Sequence, residues 1–489
     1  MFSLPELDLK LEDVQAVAKG ARVRLSASGH RLVGRARKTV MRILAEARPV
    51  YGVNTGFGAL ADRAIPLDKV RELQTNLILS HAAGAGSPLS RTEVRAVMFL
   101  RANTLSKGFS GVRCKLIEQM NEMLNRDVVP VVYEHGSVGA SGDLAPLAHV
   151  ALAVIGRGEA FLRGRRMNAR SALEARGLAP YELQPKEGLS LINGTEVMAA
   201  TGALTVLRAE RLADLADAVG ALTCAALGAR PRVFAPDLQR LKPYPGQRRS
   251  AANLRAWLQG TQAVLDRVQD AYSLRCIPQV HGAAREGIAS ARRAVETEIN
   301  SVTDNPVVLR ESVVSGGNFH GSTIALFLDV LAIALAQLGA ISERRTFRLL
   351  DPKLSGLPAF LVADPGVNSG LMIAQMLAAT LVTECKLLAA PASIHSLPTS
   401  AGQEDFVSMG MNSSLKARTA CDHVETILAI ELLCAAQAIE LSGRPVPARL
   451  KRILGQVRRI VPFLAHDREL HQDIQRLKQG LASFPGFNS

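Results

Sequence analysis

Residues 135–149 read His-Gly-Ser-Val-Gly-Ala-Ser-Gly-Asp-Leu-Ala-Pro-Leu-Ala-His. At the centre of this run, Ala140-Ser141-Gly142 carries three residue types that a chain can turn into an electrophile. Attack of the Gly142 amide nitrogen on the Ala140 carbonyl carbon closes a five-membered ring. Loss of water then leaves Cβ of Ser141 as an exocyclic methylene. The product is a methylidene-imidazolone. Serine supplies the hydroxyl that leaves, alanine is small enough to let the nitrogen approach, and glycine offers an unhindered nitrogen and unusual dihedrals. Other readings of Ser141 are weaker. A hydrolase nucleophile elbow needs Gly-x-Ser-x-Gly, and Gly139-Ala140-Ser141-Gly142-Asp143 fails at its last position. A serine that merely caps the helix beginning near Leu144 would be the better choice for an isolated Ala-Ser-Gly. Metal catalysis has no signature either: there is no His-Glu-x-x-His, and the ten histidines are scattered.

Companion segments decide between these readings. They are Tyr51-Gly52-Val53-Asn54-Thr55-Gly56-Phe57-Gly58, Asn193-Gly194-Thr195, Gln269-Asp270-Ala271-Tyr272-Ser273-Leu274-Arg275-Cys276, Thr303-Asp304-Asn305-Pro306, Gly316-Gly317-Asn318-Phe319 and Gln403-Glu404-Asp405. With the loop Gly139–Ala148, these ordered segments resemble the aromatic amino acid ammonia-lyase family along most of the chain, closest to its histidine-type members. The resemblance implies a methylidene-imidazolone formed from Ala140, Ser141 and Gly142, with no metal or external cofactor. It also implies elimination of ammonia from L-histidine to give trans-urocanate. The substrate amine would add to the methylene derived from Ser141, which turns a poor leaving group into a better one. Lyases for tyrosine or phenylalanine, and aminomutases that return ammonia at Cβ, share this scaffold. A non-catalytic polyanion-binding protein is the alternative from another class.

The same resemblance distributes roles, and the chemistry of each residue suits its role. Tyr51 would take the weakly acidic β-proton, since a phenolate is a strong base; this requires nearby positive charge or hydrogen bonding to lower its pKa. Arg275 would grip the substrate carboxylate with two parallel hydrogen bonds. Asn193 would bond the carboxylate or the amine. Gln269 and Tyr272 would line the cofactor, and Phe319 would pack beside it. Ser80-His81 falls at the family's ring-selectivity pair, where tyrosine-type members carry His-Leu and phenylalanine-type members Phe-Leu. Glu404 could accept an imidazole N–H and stabilise charge developing there. His81 and Glu404 would thus pinch one imidazole. The chain departs from the histidine-type pattern at Phe406, where a histidine is common, and at Glu196, where glutamine is usual.

The elements that must position these residues are read from composition and period. Apolar residues make up 48% of the 489 but aromatics only 4%, so Ala and Leu carry the burial, which favours helices over sheets. The length suggests about three domains as a soft prior. A short extended start precedes a helix whose apolar side holds Val40, Ile43, Leu44 and Val50; residues 51–65 read as a glycine-rich loop. Helices are expected over 68–81 and 90–104, the cofactor loop over 128–147 and a hairpin within 157–187. Beyond residue 195, long Ala/Leu-rich runs cover 195–228, 249–271, 281–300, 320–349, 367–388, 412–442 and 447–478. In the first, Glu210, Asp214 and Asp217 share one polar helix face. The expectation is a mainly α protein: an N-terminal cofactor-bearing domain, residues 1–194, followed by a long helical-bundle domain, residues 195–489.

Lys and Arg outnumber Asp and Glu by 58 to 44, a formal +14. Clusters at Arg163, Arg165, Arg166 and Arg170, and from Arg449 to Arg459, read as solvated basic faces, because no nucleic-acid motif accompanies them. Six cysteines without a Cys-x-x-Cys pair fit a reducing cytoplasm. The N-terminus carries no signal-peptide pattern, and the most apolar stretch, 324–341, is interrupted by Asp329 and Gln337, as in a buried bundle helix. The partners expected are an amino acid substrate and, by resemblance, further copies in a homotetramer, with neither nucleic acid nor membrane.

Overall fold

The computed structural model describes residues 1–46, 49–261, 263, 268–481 and 484, and it is mainly α-helical. Contacts divide the chain into two interleaved units. The first comprises Met1–Leu204, Arg292–Leu328 and Pro391–Leu415; the second comprises Thr205–Ala291, Asp329–Ala390 and Lys416–Ser489. The single boundary at 194/195 drawn from the sequence follows composition alone, whereas two later segments, each rich in joint residues, return to the first unit.

In the first unit the sequence explains each helix end near the site. Helix Ala27–Ala45 starts at Ser26, whose hydroxyl accepts the Gly29 N–H. Helix Arg91–Ser106 starts with a reciprocal capping box between Ser90 and Glu93. From Glu93 to Ser106 that helix is buried on every side, so its polar residues, Arg101 among them, must find partners inside the protein. Helix Val70–His81 delivers His81 at its last turn, and helix Leu144–Val154 follows the Ala-Ser-Gly turn.

All strands among the described residues are short and lie in this unit. Phe2–Leu4 pairs parallel with Val23–Leu25. Ala85–Pro88 pairs with Tyr133–His135, and Val307–Leu309 with Ser312–Val314. Strand Glu159–Leu162 lies between Val128–Pro130 and Arg165–Asn168. The hairpin expected within 157–187 is Glu159–Leu162 with Arg165–Asn168, turned at Arg163 and Gly164 with φ of 50° and 78°. Two central residues of positive φ match the right-handed strand twist.

The second unit is helical. Glu196–Ala226, Ser322–Leu350 and Gly410–Ser442 each begin in the first unit and continue here, and Met372–Leu388 is added. Two runs are shorter than the sequence suggested. Residues 447–478 form two helices, Ala448–Ile460 and Leu470–Gly480, separated around Pro462, which offers no N–H to continue the first. The run over 249–271 is helical as Pro245–Trp257; 262 and 264–267 lie outside the described residues. The stretch 324–341 sits inside Ser322–Leu350, long and apolar enough to cross a membrane but with 67% of its most apolar window buried within the protein.

The acidic face of Glu196–Ala226 is not solvated. Asp217 is fully buried and accepts from His281 Nδ1 at 2.8 Å and from Arg285 at 2.6 Å, while Asp214 takes Arg249 and Arg285 at 2.9 and 2.7 Å. Nearby, Glu431 is fully buried and collects Thr223, Ser342 and Arg345. Each buried charge is thus paired, as the low dielectric demands. None of the six cysteines forms a disulfide.

Candidate active site

The Ala-Ser-Gly segment is a turn folded back on itself. Gly139 and Gly142 pair across it as an isolated antiparallel bridge, and Ser141 is held at φ 53°, in the left-handed region. Both glycines are required by close approach. A Cβ on Gly142 would stand 2.2 Å from the Gly194 carbonyl oxygen, and one on Gly139 would stand 2.0 Å from Ser408 Oγ. The Asn193-Gly194 pair therefore presses on the turn from beneath, and Gly194 accepts the Asp143 N–H at 2.7 Å. Ala140 packs against a small cluster of Ala392, Val407 and Met409.

Asp143 precedes helix Leu144–Val154 but does not cap it. Its Oδ2 accepts the N–H groups of Val197 and Met198, at 3.0 and 2.8 Å, and so caps helix Glu196–Ala226 instead. Its Oδ1 accepts the Ser137 hydroxyl at 2.9 Å. Burial nevertheless pushes this carboxyl up to about 7, with the charge of Glu196 adding to the rise. Glu196, in turn, is paired through Oε1 with Arg101 at 2.7 Å, and Asp304 lies 3.8 Å from the same guanidinium and 3.4 Å from Lys186. These side chains are essentially without solvent exposure, so the turn rests on a buried ionic floor.

Above the turn lies a cavity of about 380 Å³, built wholly from the first unit. Tyr51, Ser141, Phe319 and Glu404 line it, with Asn305, Ser315, Gly316, Gln403, Gly58 and Ala61. The Ser141 hydroxyl donates to Glu404 Oε1 at 3.3 Å, and Thr399 Oγ1 donates to Glu404 Oε2 at 2.8 Å. Tyr51 stands edge-on to Phe57, with ring centroids 6.4 Å apart, and the Gly58 backbone bonds its phenol. Its loop is fixed by Asn54 Oδ1, which accepts the Val50 N–H at 2.8 Å. Burial raises the Tyr51 pKa, Gly58 opposes this, and the Glu404 charge raises it further. His81 is half-buried, with Nδ1 2.8 Å from the Leu77 carbonyl oxygen. Burial lowers its pKa, while the Leu77 carbonyl and the Glu404 carboxylate act in the opposite sense.

The turn fits the cyclisation that its residue types allow. It is already bent back, its serine hydroxyl is held by a carboxylate, and its two glycines sit where no side chain fits.

The profile of the family described as aromatic amino acid lyase matches residues 9–459. The chain belongs to this family. It is 52% identical to the histidine ammonia-lyase of Myxococcus xanthus over 480 residues, 96% of this chain and 94% of that one. Among solved structures, histidine ammonia-lyase from Trypanosoma cruzi is 41% identical, with a TM-score of 0.91 and coverage of 99% and 93%. The tyrosine aminomutase of Streptomyces globisporus is 38% identical, with a TM-score of 0.94 and coverage of 99% and 97%. A family that includes both lyase and aminomutase shares one fold, so chemistry has to be argued from the site.

Within this family member, Tyr51, Ser141, Phe319 and Glu404 come to one cavity, Ala140 and Gly142 to the same turn, and Asn193 beneath it. Asn193 is buried, and its Oδ1 has no hydrogen-bond partner. Gln269, Tyr272 and Arg275 belong to the second unit. The Arg275 guanidinium sits 4.7 Å from the Tyr272 ring centroid, and Tyr272 is 73% exposed. Asn305, which the sequence marks only as part of a motif, lines the cavity as well. Its amide oxygen accepts the Gly316 N–H at 2.8 Å and so ties two of the motif segments into one cavity wall. In the buried floor, Asp304 is marked by the sequence only as part of the same motif, and Arg101 and Lys186 have no counterpart among the residues the sequence singles out. Arg101 sits in a helix whose apolar spacing resembles any core helix, so nothing local marks it.

Proposed function

We propose that the chain eliminates ammonia from L-histidine to give trans-urocanate, with the electrophile made from its own Ala140, Ser141 and Gly142. The observation that carries the reading is the placement of Tyr51, Ser141 and Glu404 around one cavity above a turn that only glycines permit. Cyclised, the turn supplies an electrophilic methylene that makes the substrate amine a better leaving group. The rest is the work of side chains. Tyr51 takes the β-proton. Glu404 accepts a ring N–H, with His81 on the other side of the imidazole. Asn193, with a free buried amide oxygen, bonds the polar end of the amino acid.

In a single copy Tyr51 holds its proton, since burial and Glu404 both raise its pKa. Its activation therefore needs positive charge that arrives with assembly and substrate. We assign Gln269, Tyr272 and Arg275 to sites completed by another copy in a homotetramer. The exposed Tyr272, stacked with Arg275, is suited to reaching across such an interface.

Incubation with L-histidine, L-tyrosine and L-phenylalanine at equal concentration, followed by product absorbance, tests the substrate. Histidine is expected to be consumed fastest, with urocanate as product. Faster deamination of either other amino acid overturns the reading, and accumulation of a β-amino acid assigns the aminomutase reaction instead.

A further inference from the structure

The excess of 58 basic over 44 acidic residues is not used by the site above. In the second unit, helices Pro236–Arg240 and Pro245–Trp257 border a cavity of about 470 Å³. Gln239, Arg240, Arg248, Arg249, Ala252 and Arg255 line it with two prolines, and no carboxylate does. Arg248, Ala252 and Arg255 are spaced four and three apart and so share one helix face. The single methyl of Ala252 leaves room between the two guanidiniums. Arg249 is anchored by Asp214 at 2.9 Å, and Arg255 by the Phe234 carbonyl oxygen at 2.7 Å. Gln239 is buried and locked between the Val233 carbonyl and Gln247. Arg240 and Arg248 make no ion pair among the described residues.

We propose that this cavity binds a compact oligophosphate, either pyrophosphate or the phosphate chain of a nucleoside di- or triphosphate. Four guanidiniums bordering one concavity repel one another, and a ligand of three or more negative charges relieves that repulsion. The guanidinium fork matches phosphate oxygens in pairs. The volume is that of a small-molecule site, within the roughly 300–1,000 Å³ usual for such pockets. Two anchored arginines give a fixed half of the site, and two unpaired ones give a half free to close on the ligand.

Isothermal titration of the full chain at low salt with inorganic pyrophosphate, ATP and orthophosphate tests this. One site per chain is expected for pyrophosphate and ATP, with orthophosphate at least about tenfold weaker. Equal affinity for pyrophosphate and ATP identifies the phosphate chain alone as the ligand; tighter ATP adds a contribution from the nucleoside. Arg240→Ala with Arg248→Ala should weaken pyrophosphate at least about tenfold and leave histidine deamination unchanged. Ala252→Glu, which adds a carboxylate and removes no arginine, should do the same. Arg163→Ala with Arg165→Ala, on the exposed hairpin, should leave the affinity intact. Absence of binding, orthophosphate binding as tight as pyrophosphate, or an equal loss in the hairpin variant would each overturn the proposal.

Discussion

In the proposed reaction, Ser141 and Glu404 are the residues on which the chemistry turns. If Ala140-Ser141-Gly142 has cyclised, the purified chain should weigh two waters less than its sequence. Ser141→Ala should remove this deficit together with turnover and leave the far-ultraviolet circular dichroism unchanged, because it deletes the leaving hydroxyl and no core side chain. An unshifted wild-type mass would remove the electrophile from the mechanism. Glu404 makes a second, sharper test, because its negative charge raises the Tyr51 pKa. Glu404→Gln removes that charge, so the phenol should ionise at lower pH. The ascending limb of the rate–pH profile should therefore move to lower pH, while histidine turnover falls by roughly 10²–10³. A limb that stays in place means that Tyr51 is not the base. Phe406 stands where a histidine was expected. It stacks on His320, ring centroids 6.0 Å apart, and is 64% exposed.

At the scale of elements, the turn depends on what lies beneath it. A side chain on Gly142 would meet backbone, which cannot swing aside, so Gly142→Ala should abolish the two-water mass deficit even in chain that folds. The Arg101–Glu196 pair is buried in a helix that water does not reach. Arg101→Met leaves Glu196 as a buried uncompensated charge, while Asp304 keeps Lys186, and should cost about 3–5 kcal/mol, read from the urea midpoint. The His281–Asp217 pair in the second unit responds to acid. Burial pushes the imidazole down, against the pull of Asp217. The unfolded chain then takes up a proton there that the folded chain refuses, and stability should fall as pH drops below about 6.5. Burial alone would raise Asp217, but His281 and Arg285 hold it at about 2, so a further loss should follow as pH falls from the ordinary carboxylate range toward that value. Urea midpoints across pH should show both losses, and His281→Gln should erase the first.

At the scale of the molecule, the cavity is lined by the first unit while Arg275 and Tyr272 belong to the second, and the proposed reading has another copy bring them to it. Sedimentation should show a tetramer at working concentration. The apolar side chains left exposed on two long helices, Ile333 and Phe347 on one and Ile373, Met376 and Leu387 on the other, are surface that association would bury. Tyr51→Phe and Arg275→Ala variants should each be inactive alone, and co-expressed chains should regain part of the activity. Sites built from one copy only would give no recovery. A fully active monomer would refute the assembly altogether.

The sequence by itself determined the helical class and which reaction the residue types of the turn allow. Both are local: helix-forming Ala and Leu runs, and three consecutive residues of the types that cyclisation needs. The hairpin at Arg163-Gly164 was legible for the same reason. What only the tertiary structure decided is non-local. Asp143 directly precedes helix Leu144–Val154, yet its carboxylate caps the one starting at Glu196, because its backbone is pinned by Gly194. The acidic face reads from its spacing only as polar; it is fully buried at Asp217 and half-buried at Asp214, because His281 and Arg285 arrive from a helix some seventy residues away in the chain. Period tells which side of a helix is polar; only the neighbours that pack there decide whether that side meets water or an opposite charge.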